Sequence, residues 1–115
     1  MAPITDLTFQ QISANVPANS LTVVSGKVML DLSVLTGDTI DALTKQGVVK
    51  ALNILLEAAL NAQTTAYVGQ AVGEKLAAFG TPTNGAVANG YAPVTRTFVS
   101  RAQVITATKI IGAVA

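Results

Sequence analysis

Residues 48–60 constrain this chain more than any other stretch. Lys50, Asn53 and Glu57 are their only polar members, set among Val48, Ala51, Leu52, Ile54, Leu55, Leu56, Ala58, Ala59 and Leu60. Wound as a helix at about 100° per residue, Gln46, Lys50, Asn53, Glu57 and Asn61 share an arc of about 80°, and the apolar arc covers about 240°. An ordinary surface helix shows a stripe little wider than about 100°. One packed sheet cannot cover so wide an arc. A second layer has to lie on the far side, supplied by the same chain or by a neighbouring copy.

The helix is expected over residues 39–61 or a little beyond. Thr36, Gly37 and Asp38 break the preceding element, Asp38 suits the N-cap, and Asp41 places a second negative charge in the first turn. A second helix is expected over residues 65–79, with Val68, Val72, Leu76 and Phe79 on one stripe and Gly80 as the stop. Gly69 and Gly73 weaken it by about 1 kcal/mol each relative to alanine. Folded back over the first helix, it would complete an ordinary two-helix, one-sheet monomer.

Charge is scarce. The 115 residues carry seven basic and six acidic side chains, 11% of the chain, against about 29 such residues in a typical soluble chain of this length. Apolar residues make up 50%, more than half of them Ala or Val. Cys, His and Trp are absent, which removes disulfide scaffolds, thiol chemistry and ordinary zinc sites. A net charge of +1 with scattered cations lacks the footprint of a nucleic-acid binder. The uncharged stretches 7–26, 58–73 and 76–95 are each interrupted by Gln, Asn, Thr, Gly or Pro, so no membrane span is expected. The opening Met-Ala-Pro-Ile-Thr-Asp has neither a basic region nor an apolar signal core. A cytoplasmic setting, or one within an assembled particle, is expected.

Residues 1–19 read as an N-terminal arm and 20–115 as a single α+β domain. In the arm, Pro3 suits the first turn of a short helix with Ile4, Leu7 and Ile12 on one side, closed by Asn15, Pro17 and Asn19. Residues 21–35 alternate as one N-terminal strand, with Val24, Val28, Leu30, Leu32 and Val34 on one face and Gly26 as a bend. A hairpin turning at Ser25-Gly26 is the alternative. Residues 80–90 form a loop with two Asn-Gly pairs suited to positive φ. The Thr, Val, Ile and Phe content of residues 91–114 predicts two C-terminal strands, near 94–100 and 102–111, or one long bent strand. The expected fold is a small sheet of these three strands packed on the long central helix, with a short second helix.

Candidate chemistry is thin. Without His, acid–base work falls to Asp6, Asp31, Asp38, Asp41, Glu57 and Glu74. Asp38 and Asp41 are accounted for at a helix start, and Glu74-Lys75 as a solvated pair. The segment from Gly69 to Lys75 is one residue short of a phosphate loop between its glycines, and Glu74 would repel phosphate. Ser25-Gly26-Lys27 offers a hydroxyl beside an amine but no visible oxyanion hole. Arg96 and Arg101, an odd number apart, point to opposite faces of one regular strand. No catalytic, cofactor or metal residue is assigned.

The reading that remains is a non-enzymatic, self-assembling structural subunit: a homo-oligomeric ring, shell, tube or similar particle. Charged residues are depleted from interface cores, and the expected contact residues are Val48, Leu52, Leu55, Leu56 and Leu60 with Ile4, Leu7 and Ile12 of the arm. Asn53, Glu57 and Asn61 are expected to form a polar cluster that fixes register across the contact. The expected partner is the chain itself, without nucleic acid or membrane. The alternative is a small binding module that takes a ligand or peptide on the 80–90 loop.

Overall fold

The computed structural model describes residues 4–101, 104–106 and 109–110. It is a small α+β structure with one long helix, short helices and small antiparallel sheets. Two compact units make up the chain: Leu7–Ala66, and Met1–Asp6 together with Tyr67–Ala115. The expected α+β class holds, while the arrangement of strands differs. Among the described residues every sheet is a two-stranded pair, and no sheet combines N-terminal with C-terminal strands.

In the Leu7–Ala66 unit the first helix, α1 (Phe9–Ser13), is set by Thr8. The Thr8 hydroxyl accepts from the Gln11 amide at 3.2 Å, and the Gln11 side chain accepts from the Thr8 amide at 2.8 Å. This reciprocal cap satisfies two amides that the helix leaves open. The helix therefore starts later than the Pro3 reading placed it; Pro3 itself lies outside the described residues. Residues 21–35 are not one strand. β1 (Leu21–Val24) and β2 (Lys27–Leu30) form a hairpin turning at Ser25 and Gly26, with φ of 52° and 75°. Both turn residues take the positive φ of a tight two-residue hairpin. The register pairs Leu21 with Leu30 and Val23 with Val28, which puts these four on one face and Val24 on the other.

The chain then enters α2 (Leu32–Thr36). Asp31 is its N-cap, accepting from the amides of Ser33 and Val34 at 3.0 and 3.1 Å. Asp31 thus caps a helix and does not continue a strand.

The long helix, α3, runs over Val48–Ala66, so it starts well after the expected residue 39 and ends a little beyond residue 61. Gly47 decides where it starts. Its φ of 143° is one that side-chain-bearing residues rarely adopt, and a Cβ there would sit 2.9 Å from Cδ1 of Ile40. The Gly47 carbonyl accepts from the Ala51 amide at 2.9 Å, the first bond of the helix. Asp38 is therefore not a cap. Its carboxylate meets Lys50 Nζ at 2.9 Å, and Asp41 meets Lys45 at 3.8 Å. Both α1 and α2 pack on α3.

In the second unit the helix expected over 65–79 is absent. Residues 67–69 turn, with Gly69 at φ 77°, and a single 3-10 turn follows at Val72–Glu74. Thr5 forms a parallel bridge with Lys75. The Thr5 amide donates to Glu74 O, and Leu76 N donates to Thr5 O, both at 2.8 Å. β3 (Ala77–Phe79) pairs with β6 (Phe98–Ser100), and β4 (Thr83–Asn84) pairs with β5 (Val94–Thr95). These two ladders follow one another along a single long hairpin. Gly80 N donates to Thr97 O at 2.9 Å, Gly85 N to Pro93 O at 2.7 Å, and Ala88 and Tyr91 exchange bonds of 2.7 and 3.0 Å. Its tip is the second Asn-Gly pair, Asn89 and Gly90, with φ of 54° and 79°. The register slips by one residue twice, placing Thr81 and Pro82 opposite Arg96, and Ala86 and Val87 opposite Ala92. Pro82 cannot donate to a ladder, and a bulge is where a strand tolerates it. What reads as an 80–90 loop is thus most of one arm of this hairpin and its turn. The stretch 94–100 belongs to the return arm. Beyond it, β7 (Val104–Thr106) pairs antiparallel with β8 (Lys109–Ile110). The remainder of the expected 102–111 strand falls on residues 102, 103, 107, 108 and 111, outside the described residues.

Candidate functional site

The helix α3 buries its small residues and leaves its large ones open. Ala51, Ala58, Ala59 and Ala62 are buried. Val48 is 69% exposed and Leu52 53%, while Leu55, Leu56 and Leu60 are half-buried. At helical spacing Ala51, Ala58 and Ala62 share one side, with Ala59 and Leu55 beside them. Alanine allows close approach of packed elements but buries little apolar area. The leucines that would supply that area remain partly in solvent.

Two apolar grooves flank Leu55. The first, of about 330 Å³, is walled by Leu32, Ile40, Leu43, Val48, Leu52 and Leu55, with Lys45 at its edge. The second, of about 380 Å³, is walled by Phe9, Ile12, Leu21, Val28, Leu30 and Leu55. The second continues along the hairpin, where Phe9, Leu21, Val23 and Val28 line a further depression. The shared face of β1 and β2 explains this continuity, because register places Leu21, Val23, Val28 and Leu30 together. Lys45, the one charged residue lining the first groove, pairs with Asp41, and Lys50 on α3 pairs with Asp38. The surface is thus apolar and locally neutralised.

Four of the expected contact residues meet here: Val48, Leu52, Leu55 and Ile12. Leu56 and Leu60 lie on α3 away from both grooves, and Leu7 is half-buried. Ile4 is 54% exposed and belongs to the other unit. Of the expected polar cluster, Asn53 and Glu57 are half-buried and engaged in interactions, and Asn61 is exposed. The Asn61 carbonyl accepts from the Thr64 hydroxyl at 2.7 Å. The sequence reading missed Phe9, Leu21, Val28, Leu30, Leu32, Ile40 and Leu43. Taking Ser25-Gly26 as a turn would have grouped Leu21, Val28 and Leu30.

Asn84, Gly85 and Asn89 of the 80–90 segment are exposed, and none lines the grooves above. Among the described residues, no three acidic side chains gather closely enough to hold a metal ion. No helix there is long and apolar enough to cross a membrane. One titratable group is clearly perturbed. Tyr67 is buried, and this desolvation, helped by the Asp6 charge, raises its hydroxyl above the ordinary 10.0. The Ala77 amide opposes the shift without forming a well-made hydrogen bond. The Lys75 ammonium lies 5.7 Å from the Tyr67 ring centroid, within cation–π range.

Comparison of the chain with known protein families, characterised proteins and solved structures finds no match.

Proposed function

We propose that this chain is a non-enzymatic structural subunit that assembles with copies of itself, and that the apolar surface of the Leu7–Ala66 unit is one contact. One observation carries the reading. Among the described residues the buried apolar set contains only two large side chains, Leu35 and Tyr67, beside four alanines, whereas twenty large apolar residues are exposed. Exposed apolar residues scattered singly are unremarkable on a monomer, but a contiguous patch calls for a partner. Here Phe9, Val23, Val28, Leu30, Leu32, Leu43, Val48 and Leu52 are all exposed and line adjoining grooves.

Scarcity of charge points the same way. Aspartate, glutamate and lysine are depleted from interface cores, because a desolvated charge without a partner is costly. Each subunit supplies Leu55 between two grooves, and a neighbour's apolar side chains would dry both at once. Sedimentation velocity over a dilution series tests the reading. A boundary that moves from a larger species to a monomer on dilution supports it; one monomeric boundary at every concentration refutes it.

A further inference from the structure

The long hairpin over residues 76–101 presents a second anomaly, separate from the grooves. Twenty of its residues are exposed, and Arg101 is the only charged one among them. An ordinary soluble surface is about 25–35% charged, so about five to seven charges would be expected over that many positions. Arg96, the other charge of the hairpin, is half-buried and engaged. Val87, Tyr91, Val94, Phe98 and Val99 are exposed along it. Among the described residues, β4, β5 and β6 pair only within the hairpin, so each keeps an outer backbone edge open. A two-stranded ribbon of this kind is marginal in water. A long uncharged edge is also a template for another strand.

We propose that the hairpin is a second contact surface, on which another copy of this chain docks; this rests on the reading that the chain assembles. The choice of partner follows from the chemistry of the hairpin. With one exposed cation it offers nothing to nucleic acid or to an anionic lipid surface, both of which are held by clustered Lys and Arg. A second copy, by contrast, brings an identical open edge, and antiparallel edges of identical strands are complementary across a two-fold axis.

The test joins hydrogen exchange on the wild-type chain with the mass of the Val87→Lys/Val99→Lys variant, both positions being exposed. The proposal expects amides over residues 83–95 to exchange at least tenfold more slowly in concentrated than in dilute protein. It also expects the variant, with unchanged far-UV circular dichroism, to fall at least twofold in mass. If the variant does not fold, the exchange experiment decides alone. Assembled wild-type protein whose hairpin exchange ignores dilution overturns the hairpin contact and leaves self-assembly standing. Wild-type protein that is monomeric throughout overturns both.

Discussion

Replacing Leu52 by aspartate separates folding from assembly. Leu52 keeps 53% of its surface exposed in the subunit and lines the groove with Leu43 and Leu55. Fully burying a leucine is worth about 1.5–3 kcal/mol, so losing the half that the subunit itself buries costs about 1 kcal/mol of folding stability. The assembled state suffers more. There the carboxylate enters a dry contact, where an unpaired ion costs several kcal/mol. Lys45 at the groove edge is already beside Asp41, at 3.8 Å. Taking a net loss of about 3 kcal/mol, association weakens by about 100-fold for each contact. Light scattering over a dilution series reads the association constant, and urea denaturation of the dilute subunit reads folding. The Leu52→Asp chain should keep its circular dichroism and lose assembly. Unchanged association at intact fold would show that the groove is not a contact. Outright unfolding of the dilute variant would show that Leu52 is core and that its exposure was misjudged.

Other perturbations address the supports of the fold. Gly47→Ala should destabilise by about 1–3 kcal/mol in urea denaturation, because φ is 143° and the new Cβ meets Ile40 at 2.9 Å. Adding Ile40→Ala should relieve only the steric share of that loss. Asp38→Asn should cost less than about 1 kcal/mol, with a deficit that shrinks in high salt, because the Asp38–Lys50 pair is solvent-exposed. Gly90→Ala should cost about 1 kcal/mol and speed hydrogen exchange around Ala88 and Tyr91, since φ at Gly90 is 79°. Tyr67 ionises above 10.0 in the folded chain, so the folded state holds that proton after the unfolded state has released it. The contribution of Tyr67 to stability should therefore be constant below pH 10.0 and be lost as the pH rises from there toward the folded value. Tyr67→Phe should flatten that decline, and tyrosinate absorbance in a Tyr91→Phe background reports the shift directly.

The sequence pattern reveals the elements that depend on local periodicity. The apolar girdle of residues 48–60 does lie on a helix, and the α+β class follows from helical spacing there and Thr, Val and Phe content in the second half. The start of that helix and the fate of the segment after it differ from the pattern for different reasons. Its start rests on Gly47, whose backbone conformation and fit against Ile40 are tertiary facts with no periodic signature. Its end at Ala66, and the loss of the helix over 65–79, reflect a competition that the spacing of Val68, Val72, Leu76 and Phe79 cannot show. Ala77–Phe79 pairs with Phe98–Ser100 instead, and Phe79 stacks on Phe98 at 5.5 Å. That partner lies far along the chain, and β-branched Val68 and Val72 with two glycines give a helix little intrinsic support. The hairpin tip was half legible: an Asn-Gly pair announces a turn, but only the register shows that Asn89-Gly90 turns the chain whereas Asn84-Gly85 lies in an arm. Of the candidate surface, Leu52 and Leu55 were visible because they sit on the helix. Leu43 and Phe9 were not, since Leu43 lies in a turn and Phe9 opens a five-residue helix too short to show a period.

Native mass in solution bears most directly on the central claim. The proposed self-assembly predicts a species of at least twice 11.7 kDa at micromolar concentration. A stable particle of 11.7 kDa under the same conditions would contradict it.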